Sequence, residues 1–163
     1  MNVDRILDTF NRHKVDYLLI GGMNFLLRHA PVLTYDVDLW IDDTPENLAR
    51  CEKALAELQA EWGASENEWG PVAGRAPGWM ARQGVFCLTS PSGAIDVFRS
   101  VKGLEAWSTS RATAQAAATA AGTAFCGLSD ADMLRSQMAR PEAERDAQRI
   151  RILKHAIERE EHE

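Results

Sequence analysis

A chain of 163 residues, 45% apolar and 26% charged, has the length and balance of one globular domain with a sizeable core, which excludes disordered, fibrous and disulfide-stapled classes. The formal charge of −6 at pH 7 gives no broad basic surface, so neither duplex DNA nor an anionic membrane is an expected partner. Three widely spaced cysteines, Cys51, Cys87 and Cys126, with no CxxC pair, read as buried thiols of a reducing compartment. With no signal-peptide pattern and no apolar run long enough to span a bilayer, the expected location is cytoplasmic.

In chain order, Ile6, Leu7 and Phe10 recur at helical spacing behind Asn2 as N-cap, predicting a helix from Val3 to about Lys14. Val15 to Ile20 is a short apolar run ended by Gly21-Gly22 and reads as a buried strand. A helix from about Gly22 to His29 follows, stopped by Pro31. Thr34 to Ile41 alternates, with Val37, Leu39 and Ile41 on one face and Asp36, Asp38 and Trp40 on the other, as a strand does. Thr44-Pro45-Glu46 opens a helix whose buried stripe is Leu48, Cys51, Leu55, Leu58 and Trp62.

Gly63 to Gly84, rich in Gly, Pro and Trp, is expected to be a mobile loop or lid, with room for a short strand. Its Trp69 and Trp79 could stack on a base or pack on the core. Val85–Thr89 and Ala94–Phe98 flank Ser90-Pro91-Ser92-Gly93 as a hairpin. The alanine-rich run Ala112 to Ala121 is expected to be helical and closed by Gly122, with an edge strand over Thr123–Cys126. Helices from Ser129 to Pro141 and from Glu142 to Glu160 complete the chain, the last with Ile150, Leu153 and Ile157 inward. The order α-β-α-β-α-β-β-α-β-α-α implies a mixed α/β (α+β) fold in a single domain, 1–163, with a core over about 1–107 and a mostly helical part over about 108–163.

Asp36 and Asp38, two apart on a strand, put their carboxylates on one face with α-carbons about 6.6 Å apart, close enough to share a hard cation. Asp96, set between Ile95 and Val97 on another strand, is a third acid that needs a partner or water. If the two strands are neighbours, the three converge on a site for one or two Mg²⁺ ions, which favour carboxylates together with substrate phosphate. Gly21-Gly22, where a strand enters a helix, is either a plain tight turn or a phosphate cradle. Other chemistries fail on spacing: the calcium-loop pattern lacks its glycine and glutamate, and there is no HExxH, P-loop or GxSxG motif. His29 could be structural or touch the site.

Gly21-Gly22, thirteen intervening residues, Asp36-Val37-Asp38-Leu39 and then Ile95-Asp96-Val97 together resemble the signature of the nucleotidyltransferase superfamily with the DNA polymerase beta type of fold. Within it the chain is most similar to small bacterial nucleotidyltransferases of the AbiEii toxin type, which share Gly-Gly, a helix ending in His (His29 here) and the pattern of Thr34, Asp36 and Asp38. That resemblance implies a polymerase beta-like mixed sheet flanked by helices. It implies transfer of an NMP from an NTP donor to an acceptor, with two Mg²⁺ ions held by Asp36, Asp38 and Asp96, the last also helping to activate the attacking hydroxyl. Gly21, Gly22 and Thr34 would hold the donor's phosphates. RNA in a toxin-antitoxin or phage-defence setting is one implied acceptor, with an antitoxin protein as a partner. The alternatives are a small aminoglycoside or lincosamide as acceptor, and a catalytically retired nucleotide-binding or interaction module. Val32 and Tyr35 stand where relatives often carry arginines, and Gln137-Met138 where a lysine commonly reaches the nucleotide. Arg75, Arg82, Arg99, Lys102 and Arg111 form a locally positive stretch that either compensates or is ordinary surface charge.

Overall fold

A computed structural model describes residues 1–163. Asn2 caps the first helix, α1 (Val3–Arg12), by accepting from Arg5 N at 3.0 Å, and Ile6, Leu7 and Phe10 form its buried stripe. The chain turns at Lys14, φ +57°, into β1 (Tyr17–Ile20), buried throughout. Next come α2 (Gly21–Arg28), β2 (Asp36–Ile41) and α3 (Pro45–Glu57), the last begun by Thr44, whose Oγ1 accepts from Asn47 N at 3.2 Å. Two short strands, β3 (Glu61–Trp62) and β4 (Gly70–Pro71), pair antiparallel. They are followed by β5 (Val85–Leu88), β6 (Ala94–Phe98), α4 (Trp107–Thr113), β7 (Gln115–Ala118) and β8 (Ala124–Gly127). The chain ends in α5 (Asp130–Met138) and α6 (Ala147–Glu161), capped by Ser129 and Asp146.

Six strands form one mixed sheet in the order β5-β6-β2-β1-β8-β7. The pairs β2–β6 and β1–β8 are parallel; β1–β2, β5–β6 and β7–β8 are antiparallel. Each face is covered. Val37, Leu39, Ile41, Ile95 and Val97 point into the larger core with α1 and α3, while Leu18, Ile20 and Trp40 point into a smaller core with Phe25, Met133 and Leu153. The face of β2 that carries Asp36 and Asp38 is therefore covered at Trp40, which is 1% exposed. No helix is long and apolar enough to cross a membrane.

Several local expectations are corrected. The alanine run does not make a helix over 112–121: α4 ends at Thr113, and Gln115–Ala118 pairs with β8, the turn between them using Gly122 at φ +92°. The backbone hydrogen bonds of an open sheet edge outweigh alanine's helix preference there, and β8 is consequently an inner strand. The helix after Thr44 ends at Glu57 because Gln59 adopts φ +57°, so Trp62 reaches the core from β3. The 63–84 segment is no loose lid. Val72, Trp79 and Met80 are buried, Trp79 stacks on Trp62 at 5.4 Å and meets Phe86 edge-on, and Glu52 accepts from Gly78 N and Met80 N at 2.9 and 3.0 Å. The last helix begins at Ala147, after a single 3-10 turn at Glu142–Glu144. Of the cysteines only Cys51 is buried; Cys87 is exposed.

Candidate active site

The register of the two parallel strands decides the site. Asp38 lies opposite Asp96 and Asp36 opposite Ala94, so all three acids rise from one face of neighbouring strands. One oxygen from each of Asp36, Asp38 and Asp96 lies within 4.8 Å of the others. β1 runs alongside with Ile20 opposite Asp38, which brings Gly21 next to the cluster. Gly21 has φ +71°, and a Cβ there would run into the Asp38 carboxylate. A Cβ on Gly22 would stand 3.1 Å from Thr34 Oγ1 and 3.2 Å from Arg149 Nη2, so Thr34 and Arg149 converge on the first turn of α2.

Burial, followed by the charges of Asp36 and Asp96, pushes Asp38 up to about 7. Burial and Asp36 push Asp96 up to about 6. The Asp38 Oδ1 is buried with no hydrogen-bond partner. Crowded acids with an orphaned oxygen are a strained arrangement that a divalent cation relieves, and an all-oxygen donor set suits Mg²⁺. The residues present therefore fit the metal that the sequence implies.

A cleft opens beside the acids, lined by Asp38 and Phe98 from the sheet, by Gly21 and Phe25 from α2, and by Gln137, Arg140, Arg149 and Leu153 from the C-terminal part of the chain. Arg140 and Arg149 escaped the sequence reading. Arg149 was legible in one respect, since it lies one helical turn before the inward-facing Leu153. Of the five cations singled out earlier none lines this cleft, and three are engaged elsewhere: Arg75 stacks on Trp62 at 4.7 Å, Arg82 pairs with Glu68 at 3.0 Å and Arg99 with Asp43 at 2.8 Å. Neither Trp69 nor Trp79 lines the cleft. Trp79 is core, and Trp69 donates to Glu61 Oε2 at 3.2 Å.

His29 is a fastener. Its Nε2 lies 2.7 Å from Asp130 Oδ1, which also receives Arg28 Nη2 at 3.0 Å, tying the end of α2 to the start of α5. Cys87, opposite Asp96 on β5, is an exposed thiol whose acidity burial and the Asp96 charge both lower.

No protein-family model and no curated protein matches the chain. Among solved structures, it matches TM1012, a candidate nucleotidyltransferase from Thermotoga maritima, at 17% identity and TM-score 0.34, over 58% of this chain and 51% of that one. It also matches ANT(2")-Ia in complex with adenylyl-2"-tobramycin, at 14% identity and TM-score 0.60, over 98% of this chain and 89% of that one. The mixed sheet and its flanking helices are thus those of the nucleotidyltransferase fold.

Proposed function

We propose that the protein is a Mg²⁺-dependent nucleotidyltransferase that moves an NMP from an NTP to an acceptor hydroxyl, with the whole chain acting as one catalytic unit. The observation that carries this reading is the register of β2 against β6, which sets Asp36, Asp38 and Asp96 within 4.8 Å of one another beside Gly21. In the balanced reaction, the acceptor oxygen forms a bond to the α-phosphorus, the bond from that phosphorus to the bridging oxygen breaks, pyrophosphate leaves, and the acceptor proton is released. Mg²⁺ held by the three carboxylates would neutralise the triphosphate and the charge that develops during transfer.

The chain's own groups supply the rest. Gly21 and Gly22 open the backbone at the start of α2 to phosphate, with Thr34 Oγ1 beside them. Asp96, opposite Asp38 on the neighbouring strand, would complete the metal site and help activate the acceptor hydroxyl. The apolar side chains of Phe25, Phe98 and Leu153 limit water in the cleft. A small-molecule acceptor is favoured by the likeness to ANT(2")-Ia, whose structure holds adenylyl-2"-tobramycin.

The test incubates the protein with each labelled NTP, Mg²⁺, and either an aminoglycoside panel or total cellular RNA, and follows transferred label and released pyrophosphate. Asp96→Asn should keep most of the NTP affinity and reduce turnover on the order of 100-fold or more. Full turnover by a folded Asp96→Asn protein would overturn the three-carboxylate mechanism.

A further inference from the structure

Arg149 is a cation placed as if for an anion. Its side chain is 18% exposed, its Nη2 lies 3.2 Å from where a Cβ on Gly22 would stand, and its guanidinium sits 5.6 Å from the Phe25 ring centroid. The Nε is buried without a hydrogen-bond partner; its one ion pair is with Asp146 at 3.3 Å. The oxygen facing Arg149 is Asp146 Oδ2; the other, Oδ1, accepts from Gln148 N and Arg149 N, both at 3.1 Å, to cap α6. The Nε thus already faces a carboxylate, while Nη1 and Nη2 make no hydrogen bond within the chain and are free to meet an anion in the cleft. Arg140 enters the same cleft from the turn that follows α5 and is close enough to Asp38 to favour its ionised form.

We propose that Arg149, with Arg140 beside it, clamps the terminal phosphates of the donor against the first turn of α2. Three features converge on that position. Gly22 leaves its backbone N–H open at the helix start, Arg149 presents a planar fork that matches two phosphate oxygens, and the cleft continues to Asp38, where the reacting end of the triphosphate would lie. The cation therefore comes from α6, at the far end of the chain, and not from α5, where Gln137 uses its Oε1 to accept from Asp146 N at 3.1 Å. Gln137 thus steadies the cap of the helix that carries Arg149. Arg149 and Arg140 act as positioning residues that fix the triphosphate while Asp36, Asp38 and Asp96 serve the transfer, an assignment that rests on the nucleotidyltransferase reading.

The experiment is calorimetric titration of the full chain with inorganic tripolyphosphate, pyrophosphate and orthophosphate, each in Mg²⁺. Arg149→Met, Arg149→Lys and Arg140→Met are compared with the wild type, and melting curves verify the fold. The wild type should prefer tripolyphosphate to orthophosphate. Arg149→Met should weaken tripolyphosphate about tenfold or more and flatten that preference; Arg149→Lys should restore part of it, which a packing role alone would not do. Arg140→Met should weaken it less. A folded Arg149→Met protein that binds tripolyphosphate as the wild type does overturns the clamp, even if the wild type transfers nucleotide. So does a wild type that binds no tripolyphosphate. A wild type that binds it through Arg149 but transfers no NMP supports the clamp and overturns the enzymatic reading instead.

Discussion

The Asp38 carboxylate fills the space that a side chain at Gly21 would need: a Cβ there would come within 3.0 Å of Asp38 Cγ and closer still to Oδ2. The glycine is required twice, because its φ of +71° also disfavours any L side chain, by about 1–2 kcal/mol. Gly21→Ala is expected to displace Asp38 and weaken Mg²⁺ binding by tenfold or more while lowering stability by about 2 kcal/mol. Metal titration beside thermal melting checks it; unchanged Mg²⁺ affinity would show that Asp38 does not depend on the open backbone.

The acids also make stability depend on pH. Asp38 at about 7 and Asp96 at about 6 hold protons in the folded chain that an unfolded chain releases near pH 4. Their contribution to stability without metal therefore declines as pH rises from about 4 to about 7, and is level above that. Mg²⁺ competes with those protons, so the rise in melting temperature that it produces should be larger at about pH 8 than at about pH 5.5. Equal shifts at both would mean that the cation binds elsewhere.

Asp38→Asn should therefore stabilise the metal-free protein at about pH 8, because it removes one of three crowded charges. The gain is about 1–2 kcal/mol, tempered by the water that reaches the partly buried cluster. The same variant should lose most of the stabilisation by Mg²⁺. Denaturant unfolding in EDTA and in Mg²⁺ measures both halves, and a destabilised variant in EDTA would contradict the crowding.

Asp130 has a structural assignment to test. Its side chain, 4% exposed, accepts from Arg28 and faces His29, so Asp130→Ala leaves a buried cation unpaired and should cost about 3–5 kcal/mol. Chemical denaturation measures this. A loss below about 1 kcal/mol would mean that Arg28 finds enough in its bonds to Leu128 O and Gln115.

Trp79→Ala separates core from base stacking. Trp79 packs against Trp62 and Phe86, so the truncation should destabilise by about 3–5 kcal/mol and leave the NTP affinity of the folded protein unchanged. A selective loss of NTP affinity would restore a nucleotide-binding role to this tryptophan.

What was legible in the sequence followed from strong local patterns. Period 2 in β2 set Asp36 and Asp38 on one face, and the Ser90–Gly93 turn joined β5 to β6 as expected. The pairing of β6 with β2, on which the position of Asp96 depends, could be assumed but not read, because parallel partners are chosen by the whole sheet. The errors share that origin. Alanines at 116–118 form a strand only because β8 offers its edge, and Trp79 is core only because Trp62 and Phe86 meet it. Arg149 was overlooked because its significance lies in its approach to Gly22, a proximity between distant parts of the chain.

That parallel pairing of β2 and β6 also places the acids in time. Asp38 and Asp96 are direct neighbours in the sheet but are separated in sequence by α3, β3, β4 and β5, a non-local closure expected to come late in folding. A chain still on its way to the native state would have no complete carboxylate cluster to offer a cation. Mg²⁺ should then leave the folding rate nearly untouched and slow unfolding instead, so the metal acts as a latch on the finished sheet and not as a nucleus for it.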